Sequence, residues 1–356
     1  MRIVQIIDSL ETGGAEKMAV NYANALAERI EFSGLIATRK EGLLKSQINE
    51  NVVYFFLRRK RGFDVKAVFK LRNYLKKNKV QIIHAHSSSF FIAILTKLTM
   101  PKIKIVWHDH YGISQDLELR KNVILKFCSL LFLGIISVNL SLQKWAQSYL
   151  NCKKVIYLPN FIQTLNSFSE SFQLRGEDGK RIICIANLRP QKNHELLIDV
   201  AFQIHKKFPD WTFHLVGKDF NDEYSEKLIN KVKEFNLCET VFFYGALENT
   251  KDLLKQCQIG VLTSVSEGLP LAVLEYGLGG LPVVATNVGE VSGIIYSREM
   301  GILIESNNSN QFVSSVKNLI KEKMIREEMG KNLKSFVENN FGEDLILNNY
   351  LSWLNL

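Results

Sequence analysis

The sequence predicts an α/β protein with two doubly wound domains that face a cleft. Short, continuously apolar segments alternate with segments of helical spacing, which is typical of a parallel sheet covered by helices on both faces. The pattern occurs twice, on either side of a polar stretch, and a length of 356 residues suits two domains. Ligands of such sheets bind beyond the carboxyl ends of the strands.

The first α/β series begins at the N-terminus. Residues 2–7 form a β-rich apolar run, Gly13 and Gly14 follow, and apolar residues at helical spacing predict a helix over residues 16–29. Further strands are predicted at residues 80–85, 103–107, 135–139 and 154–158. We therefore expect a first domain over residues 1–165.

The second series follows a polar stretch, residues 163–180, which we interpret as a linker or an irregular surface segment. Apolar runs predict strands at residues 181–186, 212–216, 241–244, 259–263 and 282–285. These runs predict a second domain over residues 180–340. The last segment, residues 341–356, is so rich in leucine and aromatic residues that it must pack against the protein.

The composition excludes several classes of protein. Hydrophobic residues make up 46% and charged residues 23%, as in an ordinary globular protein rather than a disordered or fibrous one. The five cysteines are scattered and form no CxxC pair, which argues against a zinc site or a disulfide framework and favours a reducing cytosol. The N-terminus lacks the apolar core of a signal peptide, and the longest apolar run, residues 130–136, is too short to span a bilayer.

The net charge of +9 is concentrated in one segment. Residues 58–79 contain ten basic residues and one acid, Asp64. A patch of this kind attracts polyanions such as anionic lipid, nucleic acid or a phosphorylated substrate, although a solvated helix face explains it equally well. Val65, Val68, Phe69 and Leu75 predict a partly apolar stripe among these cations.

The most informative stretch is residues 264–275, SVSEGLPLAVLE. Glu267 follows a predicted strand, Pro270 suits the first turn of a helix, and Glu275 falls about a turn and a half into that helix. Free backbone N–H groups at a helix N-terminus can hold a diphosphate, and a carboxylate can accept two adjacent hydroxyls. This arrangement suits a nucleotide sugar, with Glu275 on the ribose and Glu267 on the hydroxyls of the transferred sugar.

These residues resemble the E-x7-E signature of the retaining GT-B glycosyltransferases of family 4, also called glycosyltransferase group 1. The resemblance covers residues 266–290, and it extends to Gly13-Gly14-Ala15-Glu16 and to residues 187–193, NLRPQKN. It implies two Rossmann-like domains, of which the first binds the acceptor and the second binds the nucleotide sugar. It also implies that the C-terminal helix, residues 341–356, packs back on the first domain.

The resemblance implies roles for individual residues. It places a histidine near the transferred sugar, for which His108 fits best and His110 is the alternative. The residues expected to act in catalysis are His108, Glu267 and Lys192. The donor-binding residues expected are Gly14, Arg189, Lys192, Glu267, Gly268, Leu269, Pro270 and Glu275, and those of the acceptor side or cleft are Gly13, Gly14, Glu16 and His110. The family has an arginine where this sequence has Asn187, so Arg189 is expected to supply the second positive charge, or Lys192 acts alone.

Neither a cofactor nor a metal is expected. GxGxxG and GxxxxGK[ST] are both absent, which argues against a dinucleotide site and an ordinary P-loop. His84, His86, His108 and His110 form an HxH…HxH pattern that raises the alternative of a metal site, but no acidic or cysteine ligands accompany them. Because DxD is also absent, Lys192 and helix dipoles are expected to meet the phosphate charge.

Together these observations predict a retaining, metal-independent hexosyl- or N-acetylhexosaminyltransferase that uses a UDP- or GDP-linked sugar. The basic segment, residues 58–79, suggests a lipid-linked saccharide acceptor and a peripheral place on the inner, anionic face of a bacterial cell membrane, in surface polysaccharide assembly. One alternative is a nucleotide-sugar epimerase of GT-B shape. The other is a nucleic-acid-binding protein, but no nucleic-acid motif supports it, so nucleic acid is not an expected partner.

Overall fold

The computed structural model describes residues 1–112, 117–162, 172–247, 250–306 and 308–355. The chain forms two compact units, Met1–Gln163 together with Glu343–Leu356, and Thr164–Gly342. Each unit is built on one sheet in which all of the strand pairs are parallel, with helices beside it. This confirms the α/β class and the two Rossmann-like sheets. Much of the segment expected to be a linker, residues 163–171, lies outside the described residues.

The first unit contains a sheet of seven strands in the order β3-β2-β1-β4-β5-β6-β7. Its elements are β1 (Arg2–Ser9), α1 (Gly14–Ala27), β2 (Phe32–Lys40), β3 (Val53–Phe56), α2 (Val65–Lys77), β4 (Ile82–His86), α3 (Phe90–Thr99), β5 (Lys104–Asp109), α4 (Val123–Cys128), β6 (Gly134–Ser137), α5 (Leu140–Tyr149) and β7 (Val155–Tyr157). The chain builds outward from β1 in one direction and then from β4 in the other. The switch point of this sheet therefore lies between β1 and β4.

The second unit contains a sheet of six strands in the order β10-β9-β8-β11-β12-β13. Its elements are β8 (Arg181–Ile185), α6 (His194–His205), β9 (Thr212–Val216), α7 (Glu223–Glu234), β10 (Val241–Phe243), α8 (Thr250–Leu254), β11 (Ile259–Leu262), α9 (Leu271–Leu278), β12 (Val283–Thr286), α10 (Val291–Ile294), β13 (Gly301–Ile304), α11 (Ser309–Lys321) and α12 (Lys323–Asn340). The switch point of this sheet lies between β8 and β11.

Strands β2, β3 and β13 were not predicted from the sequence. In β2, Ser33 and Gly34 interrupt the apolar pattern, yet both are suited to their places. The Ser33 hydroxyl donates to the carbonyl oxygen of Ala23 in α1, and a Cβ at Gly34 would lie 2.7 Å from the side chain of Val4. Close packing on the neighbouring elements therefore selects small residues in a strand that their propensities disfavour.

Helices α2 to α5 lie on one face of the first sheet. Leu71, Ile92, Leu125 and Trp145, one from each helix, belong to a single buried cluster that also includes strand residues such as Ile83. Helix α1 instead contributes Val20 and Ala23 to a separate cluster. The helices α2 to α5 thus form one continuous layer, with their outward sides in solvent.

A thirteenth helix in the described part of the chain, α13 (Glu343–Asn355), belongs to the first unit although its sequence follows the second. Its Trp353 packs where Gly134 of β6 leaves room, since a Cβ there would lie 2.5 Å from the indole ring. The hydroxyl of Tyr350, fully buried, is 3.1 Å from Nδ1 of His84 in β4. Arg29 at the end of α1 forms an ion pair with Asp344.

The five cysteines are free thiols, four of them buried. Among the described residues, no helix combines the length with the apolar character that crossing a bilayer requires.

Replacing Trp353 with alanine should destabilise the first unit. The substitution leaves a cavity beside Gly134, because the buried indole fills the space over this glycine. We expect a loss of about 3–5 kcal/mol, measured by urea unfolding. Leu345→Ala on the exposed side of the same helix is the control, with a change of about 0.5 kcal/mol or less. Equal effects of the two variants would contradict the docking of α13.

The stability of the first unit should depend on pH. Burial lowers the pKa of His84, His86 and His108 well below the ordinary histidine value, so the rings are neutral when folded. Below about pH 6.5 the unfolded chain binds more protons than the native one, and the free energy of unfolding then decreases.

The expected decrease is about 1.4 kcal/mol per pH unit for each ring that the core keeps neutral. Urea titrations at about pH 7.5 and about pH 5.5 measure it, in a range where carboxylates with ordinary pKa values near 4 change little. Equal stability at the two pH values would show that the rings accept protons without unfolding.

Candidate functional site

Two loops meet at the switch point of the second sheet. One follows β8 and the other follows β11, and these strands are neighbours in the sheet. The backbone N–H of Val265 donates to the carbonyl oxygen of Gln191 at 2.9 Å. The hydroxyl of Thr263 donates to the carbonyl oxygen of Lys192 at 3.0 Å. The two loops are therefore held in one fixed arrangement.

Lys192 and Glu267 are in direct contact across these loops. The Lys192 Nζ lies 2.6 Å from Oε1 of Glu267, and the Ser264 hydroxyl donates to the same oxygen at 2.6 Å. The Glu267 residue is 5% exposed, whereas the Lys192 side chain keeps 22% of its surface in solvent. A charge-assisted pair in so buried a place holds the carboxylate in one orientation.

Helix α9 begins immediately after this pair. Gly268, Leu269 and Pro270 are buried, and Pro270 is the N-cap in an extended conformation, one residue before the helix rather than in its first turn. Glu275 is also buried and lies in the second turn of α9, whereas Glu267 precedes the helix, so the two acids do not share one helix face. The helix start thus lies between the two carboxylates along the chain.

A third loop supports the turn before α9. Gly289 has φ +57°, and a Cβ there would lie 2.1 Å from the carbonyl oxygen of Glu267. The N–H of Glu290 donates to the carbonyl oxygen of Gly268 at 2.9 Å. Only glycine permits this close approach, so Gly289 fixes the backbone of the Glu267 loop.

Arg189 and a residue that the sequence analysis missed, Lys218, share one aromatic ring. The Arg189 guanidinium lies 4.6 Å from the ring centroid of Phe220, and the Lys218 Nζ lies 5.0 Å from it. Asn187, where the family has an arginine, accepts a 2.8 Å hydrogen bond from the backbone N–H of Lys218. A cation directly after the Val216-Gly217 strand end was the signal that could have identified Lys218.

The structure thus brings Lys192, Glu267 and the turn at residues 268–270 together, and places Arg189 and Glu275 on the elements that follow β8 and that turn. The contact of Ser264 with Glu267 was missed because a serine three residues before a glutamate is not a recognised sequence motif. The combination of acceptor carboxylates, a lysine and a helix start can bind hydroxyls and phosphate oxygens in one place.

In the first unit, the two glycines follow β1 at the switch point. Gly13 is the N-cap of α1 in an extended conformation, and a Cβ on it would lie 2.2 Å from Oε2 of Glu16. The carboxyl group of Glu16 therefore occupies the space where a side chain at Gly13 would lie. Gly14 is exposed.

The four histidines form a hydrogen-bonded cluster at the carboxyl ends of β4 and β5. Nε2 of His84 is 3.1 Å from Nδ1 of His108, and Nδ1 of His86 is 2.9 Å from Nε2 of His110. His108 is fully buried, and its Nε2 has no hydrogen-bond partner among the described residues. His110 is half-buried, so exposure favours His110 over His108 as the ring that can meet a substrate, although burial also lowers its pKa.

Three of the histidines that the sequence raised as a possible metal site lie close together, and each also makes a hydrogen bond within the protein. Side-chain nitrogens of His84, His86 and His108 lie within 4.8 Å of one another. However, His84 contacts Tyr350, His86 contacts Oε1 of Gln5 at 2.8 Å, and the His84 ring stacks nearly parallel on those of His86 and His108.

The basic segment consists mainly of α2, which Asp64 caps by accepting from the N–H of Ala67. The predicted apolar stripe is divided between two surfaces: Val68 and Leu75 are buried in the core, whereas Val65 and Phe69 are exposed. The stripe as predicted is therefore wrong, because half of it stabilises the sheet rather than facing solvent.

Comparison with known proteins identifies the two units. Residues 12–164 match the family described as Glycosyltransferase Family 4, and residues 167–336 match Glycosyl transferases group 1. The Escherichia coli UDP-Gal:alpha-D-GlcNAc-diphosphoundecaprenol alpha-1,3-galactosyltransferase is 24% identical over 78% of this chain and 76% of its own length. The E. coli O-antigen biosynthesis glycosyltransferase WbnH is 28% identical over 85% of each chain.

Among solved structures, S. aureus TarM in complex with fondaparinux, alpha-GlcNAc-glycerol and UDP superposes with a TM-score of 0.81, at 14% identity and over the whole of both chains. This likeness shows that the chain has the GT-B fold. Because the two family matches together cover most of its length, the chain belongs to the group 1 glycosyltransferases of family 4.

Proposed function

We propose that this glycosyltransferase moves a sugar, with retention of anomeric configuration, from a UDP- or GDP-linked donor to a hydroxyl of a lipid-linked saccharide in bacterial surface polysaccharide assembly. The observation that carries the proposal is the buried Lys192–Glu267 pair beside the start of α9. The names of the relatives support the acceptor, since one acts on a diphosphoundecaprenol-linked sugar and another in O-antigen biosynthesis.

The donor is proposed to bind along α9. Glu275 accepts the ribose hydroxyls, the N–H groups at the helix start bind the diphosphate, and Glu267 accepts hydroxyls of the transferred sugar. The UDP in the TarM complex supports a nucleotide donor of this kind. In the first unit, Gly13, Gly14, Glu16 and His110 are proposed to face the acceptor or the transferred sugar.

Donor binding must replace the ion pair between Lys192 and Glu267 with contacts to the donor. Before binding, the lysine is neutralised by a carboxylate that is itself held by Ser264. A bound donor offers phosphate oxygens to the lysine and hydroxyls to the carboxylate, so each charge exchanges one buried partner for another. The site therefore avoids leaving the buried carboxylate of Glu267 without a polar partner, which costs several kcal/mol.

In the proposed reaction, the bond between C1 and the diphosphate oxygen breaks, and an oxocarbenium-like sugar develops. The acceptor hydroxyl forms its bond to C1 on the same face, and its proton passes to the leaving diphosphate. Lys192, assisted by Arg189 or Lys218, stabilises the negative charge on that leaving group, which is the largest contribution expected of such a site. Positioning by the carboxylates contributes the rest.

Three alanine variants test the site. Lys192→Ala should mainly lower kcat, about 100-fold, since it removes the cation at the leaving group, with a smaller loss of donor affinity. Glu275→Ala should mainly weaken donor binding, about 10- to 100-fold. Glu267→Ala should reduce both kcat and the affinity for the donor. Release of nucleotide from a panel of UDP- and GDP-sugars measures kcat, and calorimetry measures affinity.

The matched control is Lys227→Ala, which breaks an exposed ion pair with Glu195 on the same unit and should change neither quantity. Wild-type kinetics in all three site variants would exclude the assignment. Donor turnover without any acceptor, and with a changed sugar configuration, would instead indicate the epimerase.

Transfer should also persist in a metal chelator. The proposed site meets the phosphate charge with Lys192 and the start of α9, and the sequence has no DxD motif to ligate a diphosphate-bound ion. We expect an initial rate within about twofold of the untreated enzyme after EDTA treatment. A lost rate that Mg²⁺ or Mn²⁺ restores would contradict metal independence.

A further inference from the structure

An apolar ridge lies on the outer side of the helix layer in the first unit. We define it as residues 123–131, which comprise α4 and the turn after it, and its exposed large side chains are Val123, Ile124, Phe127, Leu130 and Leu131. Phe127 is 69% exposed and Ile124 is 64% exposed. In the described part of the second unit, exposed large apolar side chains occur along the chain only singly or as the adjacent pair Met324 and Ile325.

The ridge is held firmly from below. Leu125 and Cys128, on the inner side of α4, are buried in the cluster that α2, α3 and α5 also share. The five exposed side chains therefore cannot turn inwards without breaking that core. An exposed patch of five large apolar side chains on and after a short helix is typical of a surface that binds a partner.

The charges around the ridge indicate what that partner is. Lys121 and Lys126 are exposed on the ridge and beside it, and the sequence contains no acidic residue from 119 to 169. Over residues 58–160 there are 19 basic and four acidic residues, so the excess of positive charge extends well beyond α2. Apolar side chains flanked by lysines are typical of helices that lie in a membrane interface, with the lysines reaching anionic headgroups.

We propose that the apolar ridge inserts into the headgroup region of an anionic lipid bilayer and that the cations of α2 lie over the same membrane surface. This inference rests on the proposed lipid-linked acceptor, whose sugar must be reached at a membrane. It assigns insertion to α4 rather than to the basic segment, because α2 turns half of its apolar residues into the core. Electrostatic attraction then brings the protein to the surface, and insertion of the ridge retains it.

The test compares two pairs of exposed apolar residues. Ile124→Ser/Phe127→Ser removes the centre of the ridge, and Met324→Ser/Ile325→Ser is the matched control on α12, which also faces solvent. The probe is sedimentation with vesicles of phosphatidylcholine, with or without one third phosphatidylglycerol. We expect the ridge variant to bind the anionic vesicles about tenfold more weakly than wild type, and the control to bind equally well.

A second measurement reports insertion directly. The four native tryptophans are all buried, so a tryptophan placed on the surface can be distinguished from them. Emission from Phe127→Trp should shift to the blue on anionic vesicles and be quenched by lipids brominated in their chains, whereas Met324→Trp should respond to neither. A Phe127→Trp protein that sediments with vesicles but shows no quenching would overturn insertion.

Three further results would overturn the proposal: no binding of wild type to anionic vesicles, equal binding of the ridge variant, or a wild-type dimer in gel filtration that the ridge substitutions convert to a monomer. The last result would identify a second copy of the chain as the partner. Failure of the proposed function is distinguishable, because it would appear as absence of nucleotide release by wild type while vesicle binding remained intact.

Discussion

The candidate site depends on the parallel pairing of β8 with β11. Lys192 and Glu267 are 75 residues apart in the chain, and they meet only because the carboxyl ends of these two strands lie side by side where the chain changes direction across the sheet. Other residues of the site support this arrangement of the two loops. Gly289 admits the backbone of the Glu267 loop, and Ser264 fixes the carboxylate that the lysine requires.

The sequence was sufficient to predict those features of the fold and the site that depend on residues close together in the chain. The two glutamates around a glycine-proline turn indicated the strand-to-helix junction, and continuous apolar runs indicated most of the parallel strands. Strand β2 was missed because Gly34 and Ser33 are selected by their contacts with Val4 in β1 and Ala23 in α1, which no local pattern within β2 reveals. The roles of Ser264 and Lys218 also depend on neighbours from other loops, so no spacing rule reveals them.

The histidines illustrate the same limit in the first unit. Their HxH spacing predicted side chains at strand ends, which is where they lie, but it could not show which ring is exposed. Tyr350 of α13 lies against His84, and the ring of Tyr22 in α1 lies 5.6 Å from that of His108. Contacts from other elements thus surround the buried rings, while His110 retains contact with solvent.

The position of α13 in the sequence has a consequence for biosynthesis. The first unit is the earlier to leave the ribosome, yet its final helix is translated only after the whole of the second unit. Until then, Gly134 and His84 lack the covering side chains of Trp353 and Tyr350. The first unit therefore remains incomplete while the second unit is synthesised, and it can be completed only after α13 has been translated.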